Sequence, residues 1–196
     1  MARAPHKLCH RFIASTRGVA AIEFAVIAPM MLLMLIETFD IGNAIAVYMK
    51  VRTATFALAS ITNQYSTGTN GIQSTDMTAI TGSASAILAP YSSTPVTITI
   101  SQIRMSSATR AKVSWSYALN GQAYATGLNW QTLPTQFTAS NACNSYPCYL
   151  IYAQVSYAYT PVLLSSLMSS FNLSDSLYVM PRSRACVQYQ SVPTTC

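Results

Sequence analysis

A chain of 196 residues, 8% of them charged and 51% hydrophobic, has room for one compact domain beside one membrane helix. It is too poor in charge for a charge-rich disordered chain, and 7 glycines and 9 prolines are too few for a fibrous one. The formal charge of +6 points to a polyanionic partner only until it is mapped: Arg3, Lys7, Arg11 and Arg17 precede Gly18 with no acid among them, and the chain beyond Gly18 is close to neutral.

The basic leader, residues 1–18, runs straight into an apolar stretch, residues 18–37 (GVAAIEFAVIAPMMLLMLIE). A hydrocarbon core about 30 Å thick needs about 20 apolar residues in a helix, so residues 19–40 form the expected transmembrane segment. Bases on one flank keep that flank cytoplasmic and export the rest. A cleaved secretory signal would have a shorter apolar run of roughly 7–15 residues, ending at a small-residue site. Here the run is longer, and ETFDIGNAIAVYMK reads as continuing helix. Two residues interrupt the run. Glu23 puts a carboxylate into oil at a cost of at least about 2.5–3.5 kcal/mol, which calls for a partner. Pro29 removes one helical hydrogen bond, so a kink or a locally melted turn is expected there.

Beyond the membrane, residues 41–66 continue the helix. Val47, Val51, Ala54, Leu58, Ile61 and Tyr65 alternate four and three apart, which is one helical face, with Lys50, Arg52, Thr53, Ser60 and Asn63 opposite. The whole rod, residues 19–65, would be roughly 70 Å long, so its outer half must bury that stripe on the exported domain, residues 67–196. Residues 66–74, with Gly68, Asn70 and Gly71, read as a loop. Ser74 as N-cap and Asp76 in the first turn open a helix through Leu88 that Pro90 stops.

Strands follow. Residues 96–100 alternate, and Ile103 and Met105 continue on the other parity, which a bulge near Gln102 would produce. Ala111, Val113, Trp115, Tyr117 and Leu119 alternate as one face of a second strand, joined to the first by a turn near Ser107. Residues 120–144 read as a long connection, residues 149–159 as a third strand, residues 162–170 as a short helix after Pro161, and residues 177–180 as a fourth strand. The expected fold is α+β, a long N-terminal helix packed on a small antiparallel sheet of about four strands.

The cysteines fit this topology. Cys9 sits in the leader, while Cys143, Cys148, Cys186 and Cys196 fall on the exported side, where an oxidising compartment favours disulfides. Three pairings are open. The local one, Cys143 with Cys148 and Cys186 with Cys196, closes short loops worth on the order of 2–3 kcal/mol each. A four-thiolate zinc site is the alternative, but C-x4-C and C-x9-C are irregular spacings for it.

Catalysis finds little material. Both histidines, His6 and His10, lie in the leader, so the exported domain has no Ser-His or Cys-His pair. Its acids, Asp76 and Asp175, read as caps at a helix start or in a loop. Arg104, Arg110 and Lys112 read as a solvated sheet face, and no nucleic-acid motif accompanies them. No enzyme, cofactor or metal is therefore expected. A membrane-tethered enzyme would require a pocket gathering Asp76, Asp175 and a lysine.

The pairing of Glu23 with Gly18 remains. Cleavage after Gly18 would place a new amine on Val19, one helical turn from Glu23, and the carboxylate of one subunit would meet the ammonium of another. The run RGVAAIEFAVIAPMMLLMLIETFDIG resembles the N-terminal signature of the TadE-like family, pilin-like components of the tight-adherence (Tad) pilus system, with Gly18, Glu23, Phe24, Ala25, Pro29 and Glu37 matching. Over the other three quarters of the chain the likeness is loose, carried by Tyr157, Tyr159, Pro161 and Pro181-Arg182. The resemblance implies a pilin- or pseudopilin-like fold, processing by a prepilin peptidase at Gly18 and Val19, and assembly through Glu23, Phe24 and Pro29. It further implies a minor pilin role in a surface pilus used for adhesion, with other pilin-like subunits and inner-membrane assembly proteins as partners. The competing structural reading is an uncleaved anchor of the assembly machine.

Overall fold

The computed structural model describes residues 18–65, 71–131, 133–138, 143, 145–165, 168–183 and 185–190. The leader before Gly18, residues 66–70 of the expected loop, Cys9 and Cys196 lie outside the described residues. The first element is one helix, α1 (Val19–Gln64), which passes through Pro29 without interruption. The melted turn is absent because proline takes away only its own N–H, and the helical ladder resumes on both sides.

The outer half of α1 buries the expected stripe: Val47, Val51, Ala54 and Leu58 are fully buried, with Ile61 and Tyr65 packed at the edge of the same core. Lys50, expected on the solvent face, instead crosses to the second helix, α2 (Ser74–Leu88), and donates to the carbonyls of Ile87 at 3.1 Å and Ala89 at 2.6 Å. These belong to carbonyls that a helix end leaves without partners, and a cation suits the negative end of the dipole. The N-cap of α2 is Gln73, one residue before Ser74. Asp76 accepts the Gln73 backbone N–H at 2.9 Å, which completes a capping box.

The sheet has five strands rather than about four: β1 (Val96–Ser107), β2 (Arg110–Leu119), β3 (Asn129–Trp130), β4 (Cys148–Tyr159) and β5 (Phe171–Val179), in the order β3-β2-β1-β4-β5. All pairs are antiparallel. The additional strand is β3, inside what reads as a long connection, which also holds the four-residue helix α3 (Thr135–Thr138). β5 begins at Phe171, six residues before the expected Leu177, so Asp175 stands within a strand opposite Val155 instead of in a loop or at a helix start.

The bulge is real but lies on the partner strand. Gln102 pairs with Trp115 and Ile103 with Val113, leaving Ser114 as the extra residue in β2, whereas the pairing of β1 with β4 is unbroken there. Trp115, Tyr117 and Leu119 consequently join the core under the helices, and Ala111 joins a cluster on the other face. The single apolar face expected for β2 is thus two half-faces, because one inserted residue reverses which side every later side chain points to.

The two faces of the sheet have separate cores. Under α1 and α2 lie Val96, Ile98, Ile100, Trp115, Ile151 and Val155. Towards the hairpin end, on the opposite face, Ile103, Met105, Leu150 and Tyr152 pack against Phe137 and the disulfide formed by Cys143 and Cys148, whose Cα atoms are 5.8 Å apart. Cys186 is also disulfide-bonded. A C-terminal strap closes the helix side: Trp115 Nε1 donates to the Val187 carbonyl at 2.7 Å, and the Val187 N–H donates to Gln102 Oε1 at 2.6 Å. The strap bridges Ile72 in parallel with Tyr189. Gly71, at φ +58°, comes so close to the Gln188 backbone that a side chain would meet its carbonyl oxygen at 2.6 Å.

Candidate functional site

Among the described residues nothing else in the fold buries the inner half of α1. Between Val19 and Phe39 no side chain is buried, and the apolar ones stand out: Ile22 is 69% exposed, Phe24 70% and Leu35 66%. Such a surface is untenable in water at this size, and the helix is long and apolar enough to cross a membrane. Gly18 occupies the N-cap position of α1, Val19 is the first helical residue, and Glu23 follows one turn later with its side chain exposed. Gly18, Val19, Glu23, Phe24 and Pro29 therefore share one exposed end of one helix. Cys143 and Cys148 sit at the far end of the sheet, behind the hairpin, and Cys186 in the strap.

Asp40 marks where the free half meets the domain, and residue patterning alone passed over it. It is buried, at 6% exposure. Its carboxylate accepts backbone N–H groups from Val162 at 3.0 Å, from Leu163 at 3.2 Å to each oxygen, and from Leu164 at 2.9 Å. Three successive amides converging on one anion form a concave nest. Of the short helix expected over 162–170, residues 162–165 form a turn rather than helix, although the Met168 N–H donates to the Leu164 carbonyl at 2.8 Å as in one helical turn, and Asp40 caps the amides that such a turn leaves without partners. The Tyr159 hydroxyl donates to the Asp40 carbonyl at 3.3 Å. Burial, reinforced by the negative charge of Asp40, pushes the Tyr159 phenol above its ordinary pKa. A signal for Asp40 did exist: a weak helix former within an otherwise uncharged stretch between Glu37 and Lys50.

Beyond Asp40, Ile41, Ile45, Tyr48, Met49 and Phe56 remain exposed on the outward face of α1, with Arg52 among them. Their spacing is that of one helical stripe, so an unpartnered apolar seam runs up the side of α1 away from the sheet.

Elsewhere the chemistry is sparse. Asp76 is used as a cap. Arg104 and Lys112 are cross-strand partners, exposed like Arg110. Among the described residues no three His, Cys, Asp or Glu side chains gather as a metal site would require. Tyr124, Trp130, Tyr152 and Tyr178 form an aromatic cluster, with Trp130 Nε1 donating to the Tyr178 hydroxyl at 3.1 Å. Burial pushes the Tyr152 phenol up to about 12.

No curated protein and no solved structure matches the chain. A family model does: residues 18–59 match that of the TadE-like proteins, from the N-cap of α1, through its free half and the Asp40 junction, to the buried stripe. By this match, which covers a minority of its length, the chain carries the TadE-like domain that marks Tad pilus-associated, pilin-like proteins.

Proposed function

We propose that the chain is a minor pilin-like structural subunit for assembly of a Tad pilus. In this reading residues 1–18 are a cytoplasmic leader, residues 19–40 cross the inner membrane, and the remainder stands in the periplasm. The observation that carries it is the free half of α1, which leaves the domain, exposes an apolar surface on every side and carries Glu23, the one acid inside the apolar run from Val19 to Ile36, one turn from its start. An isolated membrane helix has no use for that carboxylate, which costs at least about 2.5–3.5 kcal/mol in hydrocarbon. A prepilin peptidase cutting after Gly18 creates an ammonium on Val19. That ammonium on one subunit neutralises Glu23 on the next and sets the axial register between them.

The exposed seam from Ile41 to Phe56 supplies the second contact, a helical face for neighbouring pilin-like subunits and inner-membrane assembly proteins. The reading needs no cofactor, no catalytic residue and no nucleic-acid partner. Replacing Glu23 tests it: Glu23→Ala inserts into the membrane as the parent does, and surface pilus output from a strain carrying it falls. Pilus output equal to the parent's would remove the proposed ion pair.

A further inference from the structure

The domain meets α1 at Asp40 through one turn, whose described residues, 161–165 and 168–171, present a surface that the assembly reading leaves unused. Val162 is 61% exposed, Leu163 51%, Met168 49% and Phe171 41%. No side chain between Tyr159 and Asp175 carries a charge. Exposed turns are ordinarily built from polar residues and glycine, so four large apolar side chains at one tip make an interaction surface.

Geometry fixes where this tip stands. The amides of Val162, Leu163 and Leu164 are held by Asp40, which is four residues, roughly 6 Å along the axis, beyond Ile36. The apolar run from Val19 to Ile36 covers most of a hydrocarbon core about 30 Å thick. Asp40 and the turn clamped to it consequently lie at the boundary between acyl chains and headgroups. Phe39 and Ile41 of α1 are exposed at the same level. Between helix and turn runs an open groove of about 280 Å³, lined by Ile41, Ala44, Pro161, Leu164, Met168 and Phe171, with Glu37 and Asp40 at its edge.

We propose that this turn is a membrane foot: Val162, Leu163, Met168 and Phe171 enter the leaflet beside the helix they are clamped to, and a lipid occupies the groove. The proposal rests on the membrane-spanning reading of α1. Lipid is the occupant because the patch is continuous with the lipid-facing surface of the helix and bears no charge. Of the two carboxylates that line the groove, Asp40 is already satisfied by three amides, and Glu37 is exposed one residue beyond Ile36, at the headgroup level where a carboxylate stays solvated. The foot gives the domain a second attachment to the bilayer. Because β5 runs alongside α1, from the Asp40 clamp up to the Arg182 N–H donating to the Asn63 carbonyl at 3.3 Å, two attachments hold the sheet upright on the membrane.

The test uses the full chain, one copy per nanodisc, in phosphatidylcholine whose acyl chains are brominated. Tryptophan is introduced singly at Val162, at Leu33 within the span and at Thr109 on the distal hairpin turn. Trp115 and Trp130 supply a background read from the unsubstituted protein. Val162→Trp and Leu33→Trp are expected to lose most of their added emission relative to unbrominated lipid, and Thr109→Trp none. Quenching at Leu33→Trp but not at Val162→Trp would overturn the foot and leave the span intact, as it would if a second copy covers the turn in the assembled state. Absence of quenching at Leu33→Trp would overturn both. Equal quenching at Thr109→Trp would mean the domain lies flat on the bilayer, which also overturns the proposal.

Discussion

Two of the three carboxylates on α1, Asp40 and Glu23, meet opposite fates, and their surroundings explain why. Asp40 is buried and accepts four short contacts from three amides. Hydrogen bonds to a charged group are worth about 1.5–3 kcal/mol each, and part of the loss is recovered when water reaches freed amides. Asp40→Ala should therefore lower the stability of the full chain in detergent by about 2–3 kcal/mol in a denaturant titration followed by near-ultraviolet dichroism. Asp40→Asn, which keeps an acceptor but loses the charge, should fall between. Equal stability of Asp40→Ala and the parent would show that the nest is incidental. Glu23, by contrast, is left exposed on an apolar helix, which is why its partner is sought on another molecule. Titration offers a separate check. The Tyr152 phenol, raised from 10.0 to about 12 chiefly by burial, favours its neutral form in the folded state. Its stabilising contribution is complete below pH 10 and is lost as the pH rises to about 12, in the same direction as for Tyr178, Tyr157, Tyr159 and Tyr189. Unfolding curves at increasing pH should show stability declining through that window, and Tyr152→Phe should blunt the decline.

At the scale of elements, α1 divides into two halves that a substitution pair should separate. Leu58 is fully buried against α2 and the sheet, and Leu58→Ala should cost the domain about 2–5 kcal/mol. Leu33 is 52% exposed in the free half, and Leu33→Ala should leave the same unfolding transition where it was. Comparable losses for both would mean that the free half packs on the domain. The outer stripe, α2 and the cores of β1, β2 and β4 were legible in the sequence because each repeats a helix or strand period over several turns or alternations. The missed parts have no period to read. β3 is two residues long, and its place in the sheet is decided by where residues 120–131 fold back. The bulge at Ser114 lies in how β2 pairs with β1, while the change of parity in β1 marks where the apolar core passes from one face of the sheet to the other. The turn at 162–165 gives no local sign of its anchor, because the Asp40 that its amides meet lies more than a hundred residues away. Lys50 was assigned to solvent because nothing local reveals that α2 will end beside it.

For the whole molecule the arrangement is a rod with a domain fixed to one half. The sheet lies along α1 from the Asp40 clamp to Asn63, and the C-terminal strap, tied through Val187 and Tyr189, closes the far side of that core. Among the described residues no side chain from Val19 to Phe39 is buried, so the core of the domain is built without the apolar half and leaves that half for a membrane or a neighbour. The TadE-like match spans both halves and the joint between them, residues 18–59. The matched part is therefore the rod and its attachment to the sheet. The account stands on Glu23 being retained in oil for an ammonium that exists only after the leader is removed. Intact-mass and N-terminal peptide mass spectrometry of the protein, isolated from a host with its prepilin peptidase, tests this directly. A chain beginning at Val19 is the predicted result, and a chain still beginning at Met1 would contradict it.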